Sequence, residues 1–180
     1  LRADALSRAV ALHGLGKMTI HGGEFKKGLG LFEESVRTFP LPIAYRNLAV
    51  FWNSEGDPQK AYGYTQQALA LDPDDRYNQI FGATFMIHFG DKTEAARIAR
   101  ANEDVLAASY NLAAIWAQLG DRDKALALLK RHFYEYEQND KVRAKEMEEA
   151  RVDIVFASLK DDPAFRELIK LADHETVGGR

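Results

Sequence analysis

Gly56-Asp57-Pro58-Gln59-Lys60-Ala61-Tyr62-Gly63-Tyr64-Thr65-Gln66-Gln67-Ala68-Leu69-Ala70-Leu71-Asp72-Pro73 reads as a turn, a helix and a stop. Gly56 suits the left-handed conformation that ends a preceding helix, because it has no Cβ to clash. Asp57 suits the N-cap of the next helix and Pro58 its first turn. Ala61 and Ala68 fall two turns apart on one face, small enough for another helix to press close, and Pro73 forbids continuation.

The same pattern recurs outward from this stretch. Gly-acid pairs stand at Gly23-Glu24, Gly56-Asp57, Gly90-Asp91 and Gly120-Asp121, spaced 33, 34 and 30 residues apart. Five residues after each glycine comes a small residue (Gly28, Ala61, Ala95, Ala125), and seven before it another (Gly16, Ala49, Ala83, Ala113). Four before it stand Thr19, Trp52, Met86 and Trp116, mostly large. Small residues let two helices cross closely and large ones fill the space around the crossing. A helix–turn–helix unit at this period is the sequence mark of a repeat architecture.

From Val10 to Glu137 the chain resembles the tetratricopeptide-repeat (TPR) family, of bacterial type. The second unit carries the likeness most fully, with Tyr45, Leu48, Ala49, Trp52, Gly56, Ala61, Ala68 and Pro73 where the family places such residues. The first matches through Leu12, Leu15-Gly16, Gly28, Phe32, Ser35 and Pro40. The fourth keeps Leu112, Ala113, Trp116, Gly120, Ala125 and Leu129, but has His132 where a small residue is usual. The third departs most: Gln79 and Gly82 replace large apolar residues, Asn102 replaces an alanine, and no proline ends it. The resemblance implies an all-α protein, a right-handed α-solenoid of antiparallel helix pairs (a TPR superhelix). Four repeats are expected within 1–138, at about 3–38, 42–71, 76–101 and 105–138.

Composition sets bounds of its own. The 180 residues suffice for one domain with a real core, and 46% hydrophobic content is ordinary for a globular protein. A net charge of −3 gives no electrostatic reason to expect nucleic acid as partner. No apolar run approaches the ~20 residues of a membrane span, so membrane insertion is not expected. The absence of cysteine excludes disulfides, thiol catalysis and cysteine-based zinc sites, and does not decide between cytoplasm and periplasm. Because the sequence opens on Leu1 rather than Met, a fragment or a processed or trimmed form of a longer protein is expected.

In chain order, Ala3 to His21 predicts the first helix, from Leu6, Val10, Leu12, Leu15, Met18 and Ile20. Gly14-Leu15-Gly16-Lys17 is not a phosphate loop: it lacks the spacing and the Ser or Thr after Lys, and lies inside that helix. Glu24 to Thr38 predicts the second helix. Within it Gly28 is explained by close crossing and Gly30 is not. Pro42–Glu55 and 57–71 form the second pair, with Asp74 or Asp75 capping the next helix. Arg76–Phe89 and 91–101 form the third, broken at Asn102-Glu103-Asp104, with Asp104 as the next cap. Val105–Leu119 and Arg122–Gln138 form the fourth. Residues 139–172 are expected to be a helical cap. Its run from Phe156 to Leu168 resembles the closing segment after many bacterial TPR arrays, and physically a solenoid needs its last apolar face covered. Asp173–Arg180 is expected to be a frayed tail.

The search for chemistry returns little. His13, His21, His88, His132 and His174 form no metal-binding pair at helical spacing. His132 with Glu135 reads as a solvated helix face, and Asp161-Asp162 as the cap before Pro163. No Gly-x-Ser-x-Gly elbow is present. No constellation meets the geometric requirements of an enzyme, so no catalytic residue, cofactor or metal is expected.

What the resemblance implies instead is a concave surface lined by the first helix of each pair, holding an extended or helical peptide. Carried over, the groove residues are Lys17, Arg46, Asn47, Tyr77, Phe81, His88, Tyr110 and Asn111, flanked by His13, His21, Ile43, Val50, Asn53, Ile80, Thr84, Ala114 and Gln118. Asparagines can bond a peptide backbone on both sides, aromatics offer area at small entropic cost, and Lys17 and Arg46 favour a carboxylate. Packing against neighbouring helices is the competing role for Tyr77, Phe81 and Tyr110. The clamp by which one TPR subgroup holds chaperone C-termini is not expected, because Lys17 stands where it wants Asn, and Tyr77 and Phe81 where it wants bases. The function expected is a non-enzymatic scaffold binding a protein or peptide. The alternatives are self-assembly through helix one or the groove, and a sensory or regulatory arm of a larger protein. Replacing Arg46 and Asn47 by Ala is expected to weaken a partner while leaving the melting point almost unchanged.

Overall fold

The computed structural model describes residues 2–170, and these are all-helical, with no strand among them. The predicted tail at 173–180 and the last residues of the predicted cap lie outside the described residues. Ten α-helices follow in order: α1 (Arg2–His21), α2 (Phe25–Thr38), α3 (Pro42–Ser54), α4 (Pro58–Leu71), α5 (Arg76–Met86), α6 (Lys92–Ala101), α7 (Ser109–Leu119), α8 (Arg122–Arg131), α9 (Asp140–Val152) and α10 (Pro163–Leu168). No helix among the described residues is long and apolar enough to cross a membrane. The chain divides into two compact units, Leu1–Ile98 and Ala99–Arg180.

The turns are built as the glycine-acid pairs require. Gly23, Gly56, Gly90 and Gly120 all have positive φ, between 80° and 88°, and no other described residue does. Asp57, Asp91 and Asp121 each accept a hydrogen bond from the backbone N–H three residues on, at Lys60, Glu94 and Lys124. Each such cap contributes about 1 kcal/mol. At the next corner it is Asp75, not Asp74, that accepts from the backbone of Asn78 at 2.8 Å.

In the first unit α1 pairs with α2 and α3 with α4, while α2 packs on α3 and α4 on α5. Ser35 Oγ donates to the Ala9 carbonyl at 2.7 Å, and nearer the turn Gly28 meets Gly16, which is the order of an antiparallel pair. A Cβ built on Gly28 would lie 2.3 Å from Ile20 Cγ1 and 2.9 Å from the Gly16 carbonyl oxygen, so the crossing demands glycine. Ala49 and Ala61 make the equivalent contact between α3 and α4 and are both fully buried. Around them pack Phe81 and Phe85, with Trp52, Tyr62, Tyr64 and Tyr77 at the margin.

The tryptophan before two of the four turns has the same kind of partner. Lys60 Nζ lies 3.2 Å from the centroid of the Trp52 ring, and in the second unit Lys124 Nζ lies 4.0 Å from that of Trp116. The separation in sequence is the same in both, so the cation–π contact recurs at equivalent positions of two pairs, at about 0.5–1 kcal/mol each.

The structure departs from the sequence reading at three element ends. α5 in the first unit gives way after Met86 to a 3₁₀ turn, Ile87–Phe89. In the second unit α7 begins at Ser109 rather than near Val105, after a 3₁₀ turn at Leu106–Ala108, so Asp104 does not cap it. α8 stops at Arg131, and His132–Tyr136 forms a π-helical turn instead of continuing to Gln138. His132 is not on a solvated face with Glu135: its side chain is buried and its Nε2 lies 2.9 Å from Glu146 Oε2 on α9. The wider π turn accommodates an imidazole where the close helix contact calls for a small residue. Past α9, a 3₁₀ segment (Ile154–Leu159) packs on α7, and α10 packs on α8. Phe156 and Phe165 are fully buried, and Asp162 caps α10 through the backbone N–H groups of Ala164 and Phe165. This segment covers the face that α7 and α8 would otherwise leave open.

Candidate functional site

In the first unit, α1, α3 and α5 set side chains from successive helices in contact. Asn47 on α3 donates its amide N–H to Nε2 of His13 on α1, at 2.7 Å. Arg46, its neighbour on α3, donates through Nη1 to Oδ1 of Asn78 on α5. Its guanidinium also lies over the Tyr77 ring, 5.2 Å from the centroid, and that ring stacks on Phe81 at 6.4 Å. Asn78 is buried and also donates through Nδ2 to the Asp72 carbonyl, at 3.4 Å. A polar and aromatic row thus runs across three helices.

Burial first, and then the positive charges of Lys17 and Arg46, hold the His13 pKa below its ordinary 6.5. The imidazole is therefore neutral near pH 7, accepts at Nε2 from Asn47, and stacks on Phe32 at 5.4 Å. Around this row the surface is open. Lys17 is exposed, and on α3 the apolar Ile43 and Val50 flank Arg46 and Asn47 at 44% and 53% exposure. Arg46 and Asn47 are themselves half-buried, and the guanidinium fork carries further N–H donors beyond the one bonded to Asn78.

The sequence-derived site residues therefore have distinct surroundings. Lys17, Arg46, Asn47 and Tyr77 fall together, and Phe81 lies beneath them, buried in the α3–α5 core. His88 is exposed in the 3₁₀ turn Ile87–Phe89. Asn111 is half-buried on α7 of the second unit. Tyr110 is enclosed, its ring edge-on to His132, Phe133 and Phe156, and its hydroxyl donates to Asp153 Oδ2 at 3.2 Å. Burial above all, then the Asp153 carboxylate, push the Tyr110 hydroxyl pKa far up, so it stays a donor. Tyr110 pins the C-terminal segment to α7. The contacts argue against the expectation that replacing Arg46 and Asn47 leaves the melting point almost unchanged, because both side chains tie one helix pair to the next.

No family model and no curated protein matches this chain.

Two features lie beyond the reach of the sequence reading. Asn78 gives no sign in the sequence of its burial or of its partners Arg46 and Asp72, though a buried Asn needs partners. In the second unit, Arg151, Lys160, Arg166 and Lys170, with Asp161 paired to Arg166, line a shallow cavity of about 410 Å³. Their spacing crosses element boundaries, so no periodic pattern reveals it.

Proposed function

We propose that the chain is a TPR-type scaffold without catalytic activity, its helix pairs wound as a right-handed α-solenoid, which holds a peptide or protein segment against the first-helix face of residues 1–98. The observation that carries this reading is the row His13, Asn47, Arg46 and Tyr77, bordered by exposed Lys17, Ile43 and Val50. Fixed amides and a guanidinium suit an extended backbone and a carboxylate, and the flanking apolar side chains suit alternate apolar residues of the same peptide. The scaffold reading is supported by the repeated capped turns, the fully buried alanines at helix crossings and the recurrent Trp–Lys contact.

Peptides selected from a random-sequence display library against the wild-type chain provide the test. Lys17→Glu and Tyr77→Ala should each lower the affinity of the selected peptides about tenfold, with the far-ultraviolet circular dichroism unchanged. Peptides that bind both variants as tightly as wild type remove this face from the account.

A further inference from the structure

The cavity in the second unit, about 410 Å³, falls within the size range of small-molecule sites, about 300–1,000 Å³. Phe165 and Ile169 are its buried apolar side. Four cations surround them: Arg151 from α9, Lys160 from the turn before α10, Arg166 from α10, and Lys170 just beyond it. Asp161 is the one carboxylate of the lining among the described residues. The cavity thus carries four positive charges against one negative, in a chain whose net charge is −3. Other acids of these elements are engaged elsewhere: Asp162 pairs with Arg122, Glu146 meets His132, and Glu149 pairs with Lys145. The Asp161 side chain is 98% exposed, so water screens much of its charge even where it pairs with Arg166. Among the described residues, Arg151, Lys160 and Lys170 make no ion pair. Gathering like charges around one cavity costs free energy through their repulsion, and an anion bound there relieves it.

Two of these cations are fixed by the cavity's own backbone. Arg151 donates through Nη2 to the Ile169 carbonyl at 2.7 Å, and Arg166 donates through Nε to the Lys160 carbonyl at 2.9 Å. Each bond ties a guanidinium to another residue of the lining, so both are positioned before a ligand arrives. Each also keeps further N–H donors. Lys160 and Lys170 add exposed ammonium groups. We infer that this cavity binds a small anion bearing a diphosphate group, held by Arg151, Lys160, Arg166 and Lys170. Guanidinium forks match phosphate oxygens in pairs, and ammonium groups match them as point charges. A diphosphate concentrates several negative charges in one small body, as this excess of positive charge requires. A single carboxylate would leave most of the excess unmatched. The site lies in the other unit from the peptide-binding face, so either reading can fail alone.

Titration calorimetry of the full chain with inorganic pyrophosphate, at low salt and without divalent cations, tests the assignment. Pyrophosphate should bind one to one, more tightly than inorganic phosphate, and the affinity should fall as salt shortens the screening length. The double variant Lys160→Gln/Lys170→Gln should weaken binding at least about tenfold with the helical signal retained, since both side chains are exposed. Lys26→Gln/Lys92→Gln removes the same charge from exposed positions of the first unit and should leave the affinity within about twofold of wild type. Adenosine diphosphate is the second probe. Tighter binding than pyrophosphate assigns the diphosphate to a nucleotide, and equal or weaker binding assigns it to a free diphosphate. No binding of either probe, inorganic phosphate bound as tightly as pyrophosphate, or equal losses in the two double variants each overturns the proposal.

Discussion

Asn47 and His13 stand 34 residues apart in the sequence, and their side chains meet at 2.7 Å. The bond joins the first helices of two successive pairs, on the same face where Arg46 joins the second to the third through Asn78. A single surface therefore does two things: it holds the pairs in register, and it presents the polar groups proposed to meet a peptide. Mutations on it must be read on both scales.

The His13 contact makes stability depend on pH. Its folded pKa lies below the unfolded 6.5, so the unfolded chain binds the proton more readily. The stabilisation is complete above the unfolded value and is lost as the pH falls through 6.5 towards the lower folded value. The melting temperature should drop between pH 7 and about pH 5, and His13→Gln should flatten part of that slope. An unchanged slope in the variant would place the titrating group elsewhere.

Replacing Arg46 or Asn47 by Ala should cost stability, about 1–2 kcal/mol each. Asn47→Ala leaves a buried imidazole nitrogen unpaired, and Arg46→Ala removes a charged hydrogen bond and a contact with Tyr77. Lys17→Ala and His88→Ala, at exposed positions, should stay within about 0.5 kcal/mol of wild type. Urea denaturation separates the two groups, and the exposed pair supplies the cleaner binding probes.

Two glycines of α2 should respond oppositely to alanine. Gly28→Ala drives a Cβ into Ile20 and the Gly16 carbonyl, and overpacking of this kind costs about 1–3 kcal/mol. Gly30 has nothing within 4 Å of such a Cβ, so Gly30→Ala should stabilise by about 0.5–1 kcal/mol. Thermal unfolding of the two variants reads both signs at once.

In the second unit, Phe156→Ala should cost about 3–4 kcal/mol, since the ring is fully buried against Tyr110 and Phe165. Tyr110→Phe keeps the ring and loses only the bond to Asp153, about 1 kcal/mol. Trp52→Phe leaves Trp116 as the sole tryptophan, so its fluorescence tracks the unit in which both changes lie.

The turns and crossings were legible in the sequence because their causes are local. A left-handed residue wants glycine, a helix start wants Asp before Pro, and a close crossing wants Gly16, Gly28, Ala49 or Ala61. The identities of Lys17, Arg46, Asn47 and Tyr77 were legible as a face, but their partners were not. Which side chain His13 or Asn78 meets depends on how one pair slides on the next, and that register is set by packing across the pairs. The π turn at His132–Tyr136 was hidden for the same reason. Helix propensity carries α8 straight through it, and the burial of His132 beside Glu146 joins residues of two elements that no local pattern connects. Gly30 still has no structural reason.

The most direct measurement is an amide correlation-spectrum titration of the isotope-labelled chain with a display-selected peptide. The largest shifts should fall on α1, α3 and α5, at Lys17, Arg46, Asn47, Val50 and Tyr77. Shifts confined to the second unit, for instance around Arg151 and Lys170, would contradict the peptide-binding proposal.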